Sequence, residues 1–143
     1  MKKKIIAGVD EVGRGCLAGP VVSAAVILKD SINFGLLKDS KKISFKNREK
    51  ISEHIKLNSY FAIGIASVKE ILELNILQAS LLSMKRALDK LIIKPELILI
   101  DGNFAPTGLK NFKTIINGDE KEKAISAASI VAKNYRDELM IKL

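Results

Sequence analysis

The chain has 143 residues, of which 48% are hydrophobic and 28% charged, so we expect one domain over residues 1–143 with a single core. One cysteine and one histidine exclude a disulfide framework and a structural zinc site within the chain. The apolar runs are too short to span a bilayer and no signal-peptide pattern begins the chain, which predicts a cytoplasmic protein without membrane attachment. The net charge of +8 favours a polyanionic partner, although charge alone does not identify one.

The first half of the chain predicts three strands and one helix. Residues 4–9 and 21–28 are apolar runs typical of buried strands. A polar loop over 29–43 is followed by a helix over 44–57, which begins with a serine suited to capping it. The apolar segment 60–67 predicts the third strand.

The second half alternates helices and strands. Apolar residues recur at helical spacing over 75–92, and a proline then ends that helix. Residues 97–100 predict a fourth strand and 102–113 a loop. A short fifth strand over 114–117 leads into a last helix over 120–143.

This order of elements indicates an α/β fold. The first three strands are close enough in sequence to form an antiparallel meander, whereas strands four and five arrive after longer crossovers and can pair in parallel. We therefore predict a mixed five-stranded sheet flanked by helices.

Acidic residues follow three of the predicted strands. Asp10 comes directly after the first strand, Asp101 directly after the fourth, and Asp119 two residues after the fifth, while Glu11 adds a carboxylate beside Asp10. If the three strands run parallel, these acids meet at one edge of the sheet. Carboxylates in such proximity require cations, and an all-oxygen site suits Mg²⁺ or Mn²⁺. Two such ions would support phosphodiester hydrolysis.

Two other interpretations of single residues remain open. Each acid could be an ordinary strand-end or cap residue, and Asp119 with Glu122 resembles a capping box. The single histidine, His54, falls on a helix predicted to lie at the surface and is expected to be a solvated side chain.

Asp137 is an alternative fourth acid. It falls on the same face of the last predicted helix as Ser126, Ser129 and Lys133, whose small serines would leave room for an approaching molecule. The ordinary interpretation is a solvated acid or an ion pair with Lys133. We favour Asp119, because its position follows from the end of a strand.

Two further segments suit contacts with a nucleic acid. The turn over 13–19 has the spacing G-x-G-x-x-x-G and precedes a strand, which excludes a dinucleotide fingerprint. Its glycines would let backbone N–H groups approach a phosphate or a sugar hydroxyl, or they simply permit a tight connection. Within the basic segment 38–50, Lys41 and Lys42 are either phosphate contacts or solvated charges.

Six segments of the chain together resemble ribonuclease HII. They are AGVDEVGRGCLAGPVV (7–22), DSKK (39–42), LIDG (99–102), GD (118–119), SAASIVAK (126–133) and RDELM (136–140). They occur in the order of that family and cover nearly the whole chain. Glycine–arginine–glycine in the first segment favours ribonuclease HII over ribonuclease HIII.

The resemblance implies the ribonuclease H-like fold and a metal-dependent endoribonuclease. Its substrates would be RNA–DNA hybrids and DNA duplexes that contain ribonucleotides, and its products a 3′-hydroxyl and a 5′-phosphate. The family's metal ligands correspond to Asp10, Glu11, Asp101 and Asp119. No obligate protein partner is evident.

The resemblance also assigns substrate contacts. Gly13, Arg14 and Gly15 correspond to the motif that senses the ribose 2′-hydroxyl, and Ser40 and Lys42 to contacts with the substrate backbone. Relatives continue past the position of Leu143 into further helices that carry a tyrosine at the ribonucleotide–DNA junction, which neither Tyr60 nor Tyr135 matches.

Two alternatives to an active ribonuclease remain open. Because the family's usual C-terminal helices are not part of this chain, the first alternative is a catalytically weak or inactive hybrid-binding remnant. The second is a different Mg²⁺-dependent phosphotransfer enzyme on a similar sheet.

Overall fold

The computed structural model describes residues 4–14, 19–37 and 43–142. These residues form five strands, five α-helices and one 3₁₀ turn. The strands are β1 (Ile6–Val12), β2 (Val21–Leu28), β3 (Ser59–Ala66), β4 (Leu97–Asp101) and β5 (Phe112–Ile115). The helices are α1 (Phe45–Leu57), α2 (Val68–Leu74), α3 (Ile76–Asp89), α4 (Gly118–Lys121) and α5 (Lys123–Ile141), with the 3₁₀ turn at Phe34–Leu37. The described helices lack the uninterrupted apolar length that crossing a bilayer would need.

The five strands form one mixed sheet in the order β3-β2-β1-β4-β5. β1, β2 and β3 pair antiparallel, as neighbours in sequence can. β4 pairs parallel with β1, and β5 pairs parallel with β4. The predicted mixed sheet with flanking helices is therefore confirmed, including the parallel arrangement of the first, fourth and fifth strands.

Helices cover both faces of the sheet, which explains why β2 is an unbroken apolar run. Val22, Ala24 and Val26 face the cluster formed with α1 and α5. Val21 and Ala25 alternate with them and pack on the side of α3. Because each face has its own cover, every position from Val21 to Ile27 is buried and no polar alternation arises.

Helix α5 lies against β1 at a contact that only glycine allows. A Cβ atom at Gly8 would be 2.1 Å from the backbone carbon of Ala124, a distance that nonbonded atoms do not reach. The start of α5 is therefore fixed against the strand that carries Asp10, two residues after Gly8.

The first and fifth strands differ from their predicted bounds. β1 continues to Val12 because Asp10 and Glu11 still pair with Ala24 and Ser23 of β2, so the two acids lie inside the strand rather than after it. β5 begins two residues earlier than predicted, at Phe112, which pairs with Ile98.

The helix predicted over 75–92 begins and ends close to α3, but α2 before it was not predicted. Asn75 separates the two helices with a φ of 86°, a left-handed conformation that periodicity does not reveal, and its side chain accepts a hydrogen bond from the Gln78 N–H. Ser67 and Glu70 cap α2 with a reciprocal pair of bonds.

The last predicted helix is two helices. Glu122 is extended, with a φ of −122° and a ψ of 125°, and separates α4 from α5. Asp119 lies inside α4, whose N-cap is Asn117. The interpretation of Asp119 as the capping residue of a box with Glu122 was therefore wrong.

His54 was expected to be a solvated side chain, and this was wrong. Its Nε2 atom accepts a hydrogen bond from the Asn33 N–H at 3.1 Å, and its Nδ1 atom lies 3.2 Å from Nδ2 of Asn58. The ring therefore ties α1 to the loop before the 3₁₀ turn.

Candidate active site

Two neighbouring parallel strands bring Asp10 and Asp101 together. Val9 of β1 pairs with Ile100 of β4, so Asp10 and Asp101 are the next positions along the two strands. Asp10 is 5% exposed, and its Oδ1 atom accepts a hydrogen bond from the Glu11 N–H at 2.8 Å. Strand register alone therefore places two carboxylates side by side at the carboxyl end of the parallel pair.

Helix α4 brings the third aspartate to the same edge. The Gly118 N–H donates a hydrogen bond to Oδ1 of Asp101 at 2.6 Å. A Cβ atom at Gly118 would be 2.5 Å from Cδ1 of Ile125, so a larger residue here would require the Ile125 side chain to move. Asp119 follows directly and is 9% exposed. The glycine therefore seats α4 against the end of β4 and delivers Asp119 to the cluster.

The four acids act on one another electrostatically. Burial raises the pKa of Asp10 well above its ordinary value, and the charges of Asp101, Glu11 and Asp119 raise it further against the lowering effect of the Glu11 N–H bond. The pKa of Glu11 is also raised, by burial and by Asp101, while the charge of Arg14 lowers it. We call Asp10, Glu11, Asp101 and Asp119 the carboxylate cluster.

The cluster has the donor chemistry of a site for hard divalent cations, since all its ligand atoms are carboxylate oxygens. Among the described residues, no three His, Cys, Asp or Glu side chains converge on one point as metal ligands. The cluster is therefore a shared electrostatic environment rather than a finished coordination shell. A cation would offset the mutual repulsion that raises the pKa of Asp10.

Asp137, the alternative fourth acid, points to another partner. It accepts a hydrogen bond from Nη1 of Arg48 on α1 at 2.5 Å, so its ion pair is with Arg48 and not with Lys133 as the ordinary interpretation proposed. Asp119, by contrast, contributes to the raised pKa of Asp10.

The serine face of α5 is closed. Ser126 and Ser129 are each 2% exposed, and the Ser126 hydroxyl donates to the carbonyl oxygen of Leu37 at 2.8 Å. The expectation that a molecule could approach this face was wrong, because the 3₁₀ turn ending at Leu37 covers it.

The structure describes only part of the predicted substrate contacts. Gly13 is buried with a φ of 108°, and Arg14 is exposed and close enough to Glu11 to lower its pKa. Gly15, Ser40 and Lys42 lie outside the described residues, as does Lys41.

One residue of this region, Arg136, had no predicted role. It lies on α5, is 8% exposed, and its Nε atom donates to the carbonyl oxygen of Pro20 at 2.9 Å. The contact joins residues 116 positions apart in the sequence, so no local pattern reveals it. The available signal was the segment RDELM (136–140), which resembles ribonuclease HII but by itself assigns no contact to Arg136.

Solved structures with the same architecture identify the class of protein. Ribonuclease H2 from Pyrococcus horikoshii OT3 superposes with a TM-score of 0.81 at 32% identity, covering 96% of this chain and 74% of that one. Bst-RNase HIII in complex with Mn²⁺ gives a TM-score of 0.78 at 19% identity, covering 97% and 54%, which shows the fold alone. The class is that of nucleases with the ribonuclease H-like fold, as the sequence predicted.

Sequence comparisons narrow the class to a family. The family model described as Ribonuclease HII matches residues 7–143. The Ribonuclease HII of Pelagibacter ubique is 60% identical over 142 residues, which are 98% of this chain and 76% of that protein. The chain belongs to the ribonuclease HII family. It is a nuclease of a family that acts on RNA–DNA hybrids and depends on divalent metal ions, as predicted.

Proposed function

We propose that this chain cuts the RNA strand of RNA–DNA hybrids and also cuts DNA duplexes at embedded ribonucleotides, by two-metal-ion catalysis at the carboxylate cluster. The products are a 3′-hydroxyl and a 5′-phosphate. Neither a membrane nor an obligate protein partner enters the proposal.

The observation that carries the proposal is the strand register that aligns Asp10 with Asp101 at the ends of two parallel strands, together with the Gly118 N–H bond to Asp101 that brings Asp119 to the same edge. The raised pKa of Asp10 supports it, because burial and the charges of Asp101, Glu11 and Asp119 all contribute to that rise. A structural protein gains nothing from a nearly buried carboxylate whose neighbours repel its charge. The electrostatic cost is instead typical of a site that functions with bound cations.

Asp10, Glu11, Asp101 and Asp119 would hold the metal ions. Bound there, Mg²⁺ or Mn²⁺ would lower the pKa of water and stabilise charge on the leaving oxygen. The all-oxygen ligand set suits either ion, and Mn²⁺ is the ion in the Bst-RNase HIII complex. The resemblance to ribonuclease HII implies that Asp10 would be the ligand shared by both ions.

Arg14 and the glycines around it would bind the substrate beside the cluster. We assign the ribose 2′-hydroxyl contact to Gly13, Arg14 and Gly15, and backbone contacts to Ser40 and Lys42. The exposed guanidinium of Arg14 is near Glu11 and offers a positive charge to a phosphate next to the metal ligands. Gly13 has a φ of 108°, a backbone conformation that residues with a side chain rarely adopt, so the path of the chain beside Arg14 requires a glycine.

Cleavage of a labelled DNA duplex with a single embedded ribonucleotide tests the proposal. We expect a cut at the ribonucleotide in Mg²⁺ or Mn²⁺, no cut after chelation, and no cut of the same duplex without the ribonucleotide. Phosphatase treatment of the product fragments should reveal a 5′-phosphate. Asp89→Asn, which removes an exposed acid paired with Lys85 on α3, is the control expected to cut normally.

Two outcomes would contradict the proposal. Cutting that persists in a chelator would exclude the metal mechanism. Binding of the duplex without any cut, tracking salt concentration rather than metal, would instead support a hybrid-binding protein without catalysis.

A further inference from the structure

We infer that Arg136 is a positioning residue that holds the two described ends of the glycine turn (residues 13–19) beside the carboxylate cluster and thereby sets the preference for a ribonucleotide. The inference deepens the proposed function, because it rests on the assignment of Gly13 and Arg14 to sensing the 2′-hydroxyl. It concerns the described ends of the turn, Gly13–Arg14 and Gly19–Pro20.

The guanidinium of Arg136 lies between the two ends of the turn. Its Nε atom donates to the carbonyl oxygen of Pro20 at 2.9 Å. A Cβ atom at Gly13 would be 2.8 Å from the same Nε atom, and one at Gly19 would be 3.2 Å from Nη2. A single planar group therefore contacts the turn where it leaves β1 and where it enters β2.

The backbone at both ends favours glycine. Gly13 has a φ of 108° and Gly19 a φ of 88°, conformations that residues with a side chain rarely adopt. A Cβ atom at Gly19 would also lie 2.5 Å from Sδ of Met140, one helical turn beyond Arg136. The two glycines therefore let α5 pack closely against the turn. Arg136 and Met140 occupy the space that side chains at these positions would fill.

The contact of Arg136 with the glycine turn affects residues next to the carboxylate cluster. Arg14 follows Gly13, and its charge already acts on Glu11 of the carboxylate cluster. α5 also packs without a gap against Gly8 of β1, the strand that carries Asp10. One helix therefore positions both the cluster and the turn, and Arg136 is its contact with the turn. Displacing Gly13 would move the groups assigned to the 2′-hydroxyl relative to the metal ligands.

The test measures preference in binding, which a merely structural role would not change. In the non-cleaving Asp10→Asn background, affinity is measured for a duplex with one ribonucleotide and for the same duplex entirely of DNA, in Mg²⁺. We expect the ratio of the two affinities to fall about tenfold on adding Arg136→Gln, because small displacements of positioned groups have large effects. Arg136→Lys, which keeps the charge and is milder for folding, should lose a similar factor, since an ammonium cannot replace both Nε and Nη2.

Arg86→Gln is the matched control. Arg86 also donates to a backbone carbonyl, that of Ile65 at the end of β3, but its other partner is Glu70 on α2. We expect this variant to lower the melting temperature and leave the affinity ratio unchanged.

Three outcomes would contradict the positioning role of Arg136. An unchanged ratio in both Arg136 variants, or a normal ratio in Arg136→Lys alone, would overturn positioning by the guanidinium. An equal fall in Arg86→Gln would reduce the effect to general destabilisation. If Asp10→Asn alone shows no preference for the ribonucleotide, the sensing role in the proposed function fails, and the inference with it.

Discussion

Asp10 is nearly buried and shares its surroundings with three other acids, so its proton is retained to a higher pH than in an unfolded chain. Burial is the larger cause of the raised pKa, and the neighbouring charges add to it. The folded protein therefore carries an electrostatic cost at neutral pH that a bound cation would relieve.

The metal-free protein should lose stability as the pH rises above the ordinary range of an aspartate. Over the interval between the unfolded pKa and the raised folded pKa of Asp10, the folded state holds more protons than the unfolded state, so the unfolding free energy falls with pH. Asp10→Asn removes this contribution. We expect the variant to be more stable than the parent by about 1 kcal/mol at neutral pH and to show a shallower pH dependence. Denaturant unfolding in a chelator across this pH range measures both, and parallel curves would contradict the assignment.

Asp119 and Asp137 should differ sharply in their effect on catalysis. Asp119→Asn removes a charge from the carboxylate cluster and should lower the rate on an RNA–DNA hybrid by about a hundredfold or more, as loss of a metal ligand does. Asp137→Asn breaks a partly exposed ion pair with Arg48, worth about 1 kcal/mol or less, and should keep the rate within about threefold. Initial rates at saturating metal decide this, and the reverse order would make Asp137 the fourth acid.

Among the elements, α5 is the one that organises the site. It packs on β1 at Gly8, carries Arg136 and Met140 to the glycine turn, and supplies Ile125 against Gly118. The carboxylate cluster depends on these contacts, because its members come from β1, β4 and α4. Packing of α5 is therefore as important to the site as the strand register.

Gly8→Ala should push α5 away from the sheet. The added Cβ would meet three backbone atoms of Ala124 and Ile125 within 2.4 Å, and backbone cannot move aside as a side chain can. We expect the unfolding free energy to fall by about 3 kcal/mol. Gly35→Ala is the control, since its Cβ would meet only the Asn33 side chain at 3.2 Å, and it should change stability by about 0.5 kcal/mol or less. Similar losses in both variants would show that the α5 contact is not special.

Elements that depend on interactions between residues close in sequence were predicted well, and those that depend on other features were not. The apolar run at Val21–Leu28 and the Ser44 cap of α1 are local signals, and both elements were predicted with nearly correct bounds. The break at Asn75 depends on a single left-handed residue, so local patterns did not reveal it. β5 is a short strand whose residues are mostly exposed, so it was predicted but with bounds shifted by two residues.

The same distinction applies to the site. Asp10 and Asp101 could be placed together because parallel strands align their carboxyl ends, which is a rule of topology. The hydrogen bond from Arg136 to Pro20 joins chain segments more than a hundred residues apart. The ion pair of Asp137 with Arg48 depends on how α1 and α5 pack. Neither could be derived from spacing.

At the scale of the whole molecule, the chain joins an antiparallel meander to a parallel pair, and the carboxylate cluster lies where the two parts meet at β1 and β4. Its charge is +8 overall, yet this edge concentrates four acids. A basic protein with one acidic site suits a polyanionic substrate whose reacting phosphate is brought to the cluster by divalent ions.

The most direct test of the cluster as a metal site is thermal unfolding with and without millimolar Mn²⁺, in the parent and in Asp10→Asn. We expect Mn²⁺ to raise the melting temperature of the parent clearly, because an ion that binds only the folded state stabilises it. The Asp10→Asn variant should begin higher without metal and respond little. An equal rise in both proteins, or no rise in either, would contradict the claim that these carboxylates bind divalent cations.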